Sequence, residues 1–507
     1  MARNIGVRSG MRKGVPLVLI LVLIFGATIR LIDIGAKPLW LDETITIRQA
    51  DQAIGTTLQF LENDSHFPLY VALMNLWVHL FGSGEIIVRL PSLIFSVISI
   101  YVIYLLGSAV YSRRVGLISA VLLCISSSAV YYAQEARLYS LFLLLTMLST
   151  YFYLRIVDKP GKSDYCLYIL FTSMMIYTHI FSFITFTLQS GYYLYLHRLD
   201  RKKILAWFGI IAAELALFLP WMHMLIQQIH YNRLIDWIPQ PTPALLAGTV
   251  DTLSGNPILA ILIVGIAIFL AYRSKLCKNN LHRSNNRRDA SLGRYTVMLL
   301  LFLVTPILLV YVFSSVSTHL FFPKYFFFLS GFFLIICAYL LDRIKRRSVL
   351  LIVLGILLAT SLARIIIEYN APDKQDWRGT AEFLRENVKQ GEYIIVHPYY
   401  YDDPFAYYYD PYCFGEYYLN SCLYERDEIL SANYLATFYN ASTKMTATSG
   451  PNTLGYYVNR TGWLVTLDNT SYPIDGRMLG YLETERQIVG TWRFADGIIV
   501  YELAPKS

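Results

Sequence analysis

PLYVALMNLWVHLFG, residues 68–82, is apolar enough to enter a bilayer but only 15 residues long. A helix needs roughly 20 residues to cross a hydrocarbon core of about 30 Å. Counted as a span, this stretch would reverse every loop that follows it. Eleven other apolar runs read as spans, at about 15–34, 91–111, 115–132, 138–156, 165–180, 181–197, 204–225, 256–272, 295–316, 325–341 and 348–366. The basic residues decide between the two counts, because Lys and Arg collect on the cytoplasmic side of short loops. They cluster at Arg3, Arg8, Arg12 and Lys13, at Arg113-Arg114, at Arg198 with Arg201 to Lys203, from Arg273 to Arg294, and from Arg343 to Arg347. All fall on one side only if 68–82 lies along the outer interface as a short amphipathic helix.

The resulting expectation is an α-helical polytopic membrane protein with about 11 transmembrane helices in residues 1–370. A long first outer loop, residues 35–90, carries juxtamembrane helices. Residues 371–507 then lie outside, as a small C-terminal α/β extracytoplasmic domain. The N-terminus is cytoplasmic, and the chain is read as multi-pass in the cell (plasma) membrane. No signal-peptide processing is expected, since the first apolar run spans a full bilayer and no small-residue cleavage site follows it.

Composition agrees with two environments. Charged residues make up 15% of the chain, against roughly 25% in a soluble protein. Residues 371–507 hold 11 Lys+Arg and 18 Asp+Glu, which leaves 32 basic and 17 acidic residues before them. The basic residues sit in short loops beside apolar runs, so no nucleic-acid partner is implied. In the tail, 376–388 has helical periodicity, and 393–397, 463–467, 487–492 and 498–503 read as strands. Its 18 tyrosines suit a core near a membrane surface, and also the stacking of sugars. Sequons at Asn63, Asn440, Asn459 and Asn469 all fall on the outer side. Of six cysteines, Cys124, Cys166, Cys277 and Cys337 lie in or beside spans as small apolar residues. Cys413 and Cys422 could pair outside the cytoplasm, but nine residues of separation do not require it.

Two charged clusters point to chemistry. The first outer loop opens with Pro38-Leu39-Trp40-Leu41-Asp42-Glu43-Thr44. Adjacent carboxylates beside a span are costly unless hydrated or used. They suit a solvated helix start, with Asp42 as a cap and Glu43 in the first turn, as well as a reactive pair. The second cluster follows the third span as Tyr131-Tyr132-Ala133-Gln134-Glu135-Ala136-Arg137-Leu138-Tyr139. Glu135 and Arg137 either satisfy one another or hold a ligand, the arginine taking a phosphate through charge-assisted hydrogen bonds. Outside the cytoplasm a sugar donor must arrive as a polyprenyl-phosphate sugar. Its phosphate leaving group calls for cations, and its acceptor hydroxyl calls for a carboxylate base with a pKa raised by partial desolvation.

Several motifs together resemble the C-type (GT-C) glycosyltransferase superfamily, in the branch of protein O-mannosyltransferases and aminoarabinose transferases. They are Leu41-Asp42-Glu43, His66-Phe67-Pro68-Leu69-Tyr70, Arg89-Leu90-Pro91-Ser92, Gln134 to Tyr139, Pro323-Lys324-Tyr325 and Asp376-Trp377-Arg378. The resemblance departs at Phe67-Pro68, where the family often has two prolines, and at Lys324, where it often has arginine. Lysine keeps the charge but not the planar fork, so a phosphate role survives there and a bidentate one does not.

The resemblance implies an inverting transferase that moves a hexosyl or pentosyl unit from a dolichyl or undecaprenyl phosphate. The acceptor is an extracytoplasmic hydroxyl of a protein, glycan or lipid. Asp42 becomes the catalytic base, Glu43 its support, and Glu135 a group that places acceptor or donor sugar. Arg137 and Lys324 would bind the lipid phosphate. His66 and Arg48 are further phosphate-binding candidates, the first equally readable as an interfacial histidine and the second as a solvated charge. Arg89 doubles as an interface anchor, Tyr139 and Tyr325 are further candidates, and His179 is read as structural. No cofactor is required and no zinc-spaced His/Cys cluster occurs; nothing in the sequence motivates a divalent cation on Asp42 and Glu135. Expected partners are the donor, the acceptor and membrane lipids. The rival readings are a transporter or flippase of lipid-linked glycans and a non-catalytic anchor for the tail. A transporter would place its polar groups near the midplane and carry internal repeats.

Overall fold

The computed structural model of the protein describes residues 16–62, 66–230, 238–256, 258–262, 265, 287–371, 374–389, 392–397, 401–411, 414, 445–447, 461–468, 480, 482, 484 and 486–506. Cys277, Cys413, Cys422, the four sequons and the N-terminal basic cluster lie outside them. The chain divides into two compact units. The first comprises Met1–Ile32, Gly55–Leu73 and Arg89–Tyr369, and the second Asp33–Ile54, Met74–Val88 and Asn370–Ser507.

Along the chain the helices are α1 (Leu17–Leu31), α2 (Leu41–Ala50), α3 (Ile54–Glu62), α4 (Pro68–Phe81), α5 (Glu85–Val110), α6 (Arg113–Ile125), α7 (Ser127–Tyr131) and α8 (Tyr139–Asp158). There follow α9 (Lys162–Ile176), α10 (Ser182–Leu196), α11 (Arg201–His230), α12 (Pro243–Ser254), α13 (Arg287–Val316), α14 (Ser330–Asp342) and α15 (Arg347–Asn370). The tail adds α16 (Trp377–Asn387) and α17 (Asp402–Tyr409).

Six helical stretches among the described residues are long and apolar enough to cross a membrane: Glu85–Val110, Tyr139–Asp158, Arg201–Gln228, Gly293–Val316, Pro323–Asp342 and Arg347–Asn370. Of the Tyr139–Asp158 window 78% is buried inside the protein, against 22% for Arg347–Asn370. The first is therefore the central helix of its unit and the second a peripheral one. Helices α9 and α10 cover the expected spans at 165–180 and 181–197 but have 15 residues each, about 22 Å at 1.5 Å per residue. Helix α4, at 14 residues, is likewise shorter than the hydrocarbon core. One expectation needs correction. The run 115–132 is not a single straight helix, because α6 and the segment Ser127–Gln134 meet at a bend of 62°.

The second unit holds a five-stranded sheet of order β2-β1-β3-β5-β4. Its strands are β1 (Tyr393–His397), β2 (Met445–Ala447), β3 (Gly462–Leu467), β4 (Arg486–Arg493) and β5 (Ile498–Pro505). Strand β1 runs parallel to β2 and β3, while β5 is antiparallel to β3 and β4. All five residues of β1 and all six of β3 are buried, as expected of central strands covered on both faces. Tyr393, Ile395, Leu464, Leu482 and Leu503 form one core cluster of this unit. Asp376 caps α16 by accepting the Gly379 N–H at 2.9 Å, and Trp377 beside it is fully buried.

Candidate functional site

In the first unit the site begins with the break between α6 and α7. Ser126 is extended there (φ −63°, ψ 119°). Gly255, the left-handed C-cap of α12 (φ 57°), lies against it so closely that a Cβ would stand 2.0 Å from Ser126 Oγ. Only glycine fits, on both counts. The Gly255 carbonyl accepts from Ser127 N (3.2 Å) and Ser127 Oγ (2.9 Å). A helix end leaves its last carbonyls without intrahelical partners, and in an apolar interior such groups are costly. Arg30 of α1, fully buried, supplies the donors. Its guanidinium bonds Leu123 O and Cys124 O (both 3.1 Å), Gly26 O (3.0 Å) and Ser96 Oγ (2.9 Å). An arginine inside a span reads by default as functional; here it caps a broken helix.

The break sends the following segment out of helical register. A single 3-10 turn, Tyr132–Gln134, leads into extended Glu135 (φ −119°, ψ 133°) before α8 starts at Tyr139. Hydrogen bonds hold this segment to other motifs. Ser92 Oγ donates to Arg137 O (3.1 Å) and pairs with Tyr70 Oη (3.0 Å). Ser140 Oγ donates to Tyr132 O (2.9 Å), and Gln134 Nε2 donates to Arg30 O (3.1 Å) and Ile32 O (2.7 Å). Three motifs far apart in sequence, His66 to Tyr70, Arg89 to Ser92 and Gln134 to Tyr139, thus form one hydrogen-bonded assembly. Glu135 and Arg137, 1% and 7% exposed, are buried by it.

The assembly borders a cavity of about 220 Å³ lined by His66, Phe67, Arg137, Tyr139, His179 and Tyr325, with Leu225, Gln228, Ile238 and Leu320 among its other walls. Arg137 Nη2 lies 2.7 Å from His66 Nε2. A guanidinium only donates, so His66 Nε2 accepts and that ring is neutral while the contact stands. Gln228 of α11 donates to the carbonyls of Leu61 (2.8 Å) and His66 (3.0 Å), which fixes the approach to α4. Leu61, Phe67, Val71, Ile176, Phe186, Phe218 and Trp221 pack as a core cluster behind it. Lys324 is the second residue of the 3-10 turn Pro323–Leu329, with Nζ 5.7 Å from the Phe322 ring centroid and 5.8 Å from that of Tyr325. Arg89, 1% exposed, is buried in α5 and does not lie at an exposed interface.

In the second unit, α2 has Trp40 at its N-cap, with Asp42 and Glu43 both in its first turn. The expected cap at Asp42 is corrected: the N-cap is Trp40, so the helix starts two residues earlier. Asp42 is half-buried. Glu43 is fully buried and accepts from Lys374 Nζ at 3.1 Å. Arg48 is not a solvated charge. It is 3% exposed, paired with Asp402 (3.6 Å) and Asp403, and its guanidinium carbon lies 4.9 Å from the Phe414 ring centroid. Burial, then repulsion from Asp403, pushes the Asp402 carboxyl up to about 8, against the pull of Arg48. Burial raises Asp403 as well. Nearby, Glu85 takes Arg378 (2.5 Å) and Tyr408, while Tyr408 Oη also accepts from Leu39 N (2.7 Å). Pro91 cannot donate to the Ile87 carbonyl four residues back; Trp77 Nε1 does so instead, at 2.8 Å.

The sequence reading names His179 only as a structural residue and does not single out Arg30 or the acidic pair at 402–403. For His179 the signal is a titratable residue in the short turn between two apolar runs, which the span count expects on the side of Glu135 and Arg137. For the partners of Glu43 and Arg48 there was none, since they lie more than 300 residues away.

Residues 65–223 match the family described as dolichyl-phosphate-mannose-protein mannosyltransferase. No curated protein sequence matches the chain. Among solved structures, ArnT from Cupriavidus metallidurans in the apo state is similar over 96% of this chain and 97% of its own, with TM-score 0.59 and 11% identity. The same protein bound to undecaprenyl phosphate gives TM-score 0.57 over the same shares, also at 11% identity. The Archaeoglobus fulgidus oligosaccharyltransferase in its apo form gives 0.53 at 11% identity, over 77% of this chain and 63% of that one. The likeness is one of fold. Together with the family match over residues 65–223 it bears out the resemblance to the C-type glycosyltransferase superfamily, and with the apolar helices it makes this chain a multi-pass membrane protein.

Proposed function

We propose, for a chain with the membrane fold of the C-type glycosyltransferases, that it is an inverting transferase taking a monosaccharide from a polyprenyl phosphate to an extracytoplasmic hydroxyl. The observation that carries the reading is the cavity of the first unit. A guanidinium 7% exposed opens there among Phe67, Phe181, Leu225 and Leu320, which suits an anion attached to an apolar chain. One compared structure holds undecaprenyl phosphate, in line with such a ligand.

In this reading Arg137, braced by His66, and Lys324 stabilise the charge that develops on the departing phosphate. Asp42 takes the proton of the acceptor hydroxyl as its oxygen bonds to the anomeric carbon. The bond from that carbon to the phosphate oxygen breaks on the opposite face, so configuration inverts and polyprenyl phosphate leaves with the electron pair. Glu43 supports Asp42, and Glu135 orients a sugar or acceptor hydroxyl. Residues 371–507 form an extracytoplasmic domain of a plasma-membrane protein whose N-terminus is cytoplasmic.

The test supplies purified protein with radiolabelled polyprenyl-phosphate sugars and hydroxyl acceptors. Asp42→Asn should lower kcat by roughly 10²- to 10⁴-fold, as expected for loss of a general base. Arg137→Ala should chiefly raise the donor KM, by roughly tenfold or more. Undiminished transfer by Asp42→Asn removes that residue from the reaction. Label moved across the bilayer without transfer to any acceptor replaces the enzyme by a flippase.

A further inference from the structure

His179 stands in the turn between α9, which ends at Ile176, and α10, which begins at Ser182. Its Nδ1 accepts the backbone N–H of Phe181 at 3.1 Å. That nitrogen therefore carries no proton, and the hydrogen of the neutral ring is on Nε2. The ring cannot easily turn away. It stacks on Phe142 (centroids 5.2 Å, planes 22° apart) and packs edge-on against Phe181 (4.9 Å) and tilted against Tyr325 (5.5 Å). It lines the same cavity as Arg137, and its Nε2 makes no hydrogen bond among the described residues.

The two histidines of the cavity thus hold opposite tautomers. The Nε2 of His66 is occupied as the acceptor for Arg137, whereas the Nε2–H of His179 is a donor held in place by packing. We propose that His179 binds the phosphate of the lipid donor, giving its Nε2–H to a phosphate oxygen beside Arg137. This rests on the reading of the cavity as a phosphate site, and adds to it a ligand residue with a defined tautomer. A neutral donor suits the position: it adds a directed hydrogen bond to the anion without adding a further full charge to those of Arg137 and Lys324.

The experiment measures undecaprenyl phosphate binding to the full-length protein in detergent, with undecaprenol as the uncharged control, by ligand-dependent thermal shift. His179→Asn keeps an acceptor for the Phe181 N–H and loses the donor at Nε2; His179→Gln restores a donor near that position. We expect His179→Asn to weaken undecaprenyl phosphate binding about tenfold or more, as for a lost hydrogen bond to a charged group. His179→Gln should recover most of the affinity, and undecaprenol should bind all variants alike. A constant affinity ratio of wild type to His179→Gln from pH 6 to 8.5 is expected of a neutral ring; a ratio that follows a titration overturns the tautomer assignment.

Wild-type phosphate affinity in His179→Asn overturns the proposal if Arg137→Ala is weakened. If both variants bind as wild type, the phosphate reading of the cavity falls with it. Equal losses for phosphate and alcohol make the residue structural. Should His179→Asn fail to fold, His179→Gln against His179→Phe decides the same point, and equal phosphate affinity of those two overturns it.

Discussion

The segment 132–139 in the first unit and helix α2 in the second both present charged candidate residues, but they are held by different forces. Segment 132–139 is positioned by hydroxyls, amides and backbone carbonyls: Ser92, Tyr70, Ser140 and Gln134. Arg30 stabilises the break that precedes it. Helix α2 is held through charge, Glu43 by Lys374 and Arg48 by Asp402 and Asp403. Neutral hydrogen bonds do not titrate near neutral pH. Buried carboxylates sharing one guanidinium do. The first segment should therefore keep its geometry across pH, while the second should loosen as pH rises.

The largest effect is expected from Arg30→Leu. It leaves the carbonyls of Leu123 and Cys124 buried without these donors, at roughly 1–3 kcal/mol for each orphaned group. The purified variant should melt far below wild type, or fail to accumulate. An unchanged melting temperature would show that the break forms without it.

Arg48→Met should come next, because it strands two buried carboxyls; breaking a buried pair from one side costs roughly 3–5 kcal/mol. The triple variant with Asp402→Asn and Asp403→Asn should regain most of the loss. If it melts no higher than Arg48→Met alone, the three groups are not acting as one cluster.

The third prediction concerns pH. Burial raises the folded Asp402 carboxyl from the ordinary value of 3.8 to about 8, so the folded state binds more protons than the unfolded chain between those values. Its contribution is fully present below about pH 4 and lost as pH rises toward 8. Amide exchange over 41–50 should accordingly quicken between pH 6 and 8.5 once corrected for intrinsic rates, while 132–139 does not change. Asp402→Asn should flatten the dependence; the same slope in both segments would erase the contrast.

Ser92→Ala should have the smallest effect. It removes the neutral links to Arg137 O and Tyr70 Oη, each worth about 1 kcal/mol, and should slightly raise exchange in 132–139 with no pH dependence. A loss comparable to Arg48→Met would mean that the neutral assembly is as fragile as the charged one.

The sequence alone determined what depends on neighbouring residues and on periodicity. Apolar runs gave the helical membrane architecture, short runs of β-branched and aromatic residues in the tail gave strands close to those of β1, β3, β4 and β5, and the motifs from Asp42 to Arg378 gave the superfamily resemblance. Arg137 and His66 are legible as candidates from their motifs alone. Tertiary structure alone decided the break at Ser126, since a glycine 129 residues later fills it. It also buried Arg48, gave Glu43 its lysine, and turned a lone histidine at 179 into a cavity wall. Each of these depends on a partner distant in sequence. Local propensity and hydropathy do not record such pairings, which arise only when the folded chain brings a donor to a carbonyl that would otherwise be buried without one.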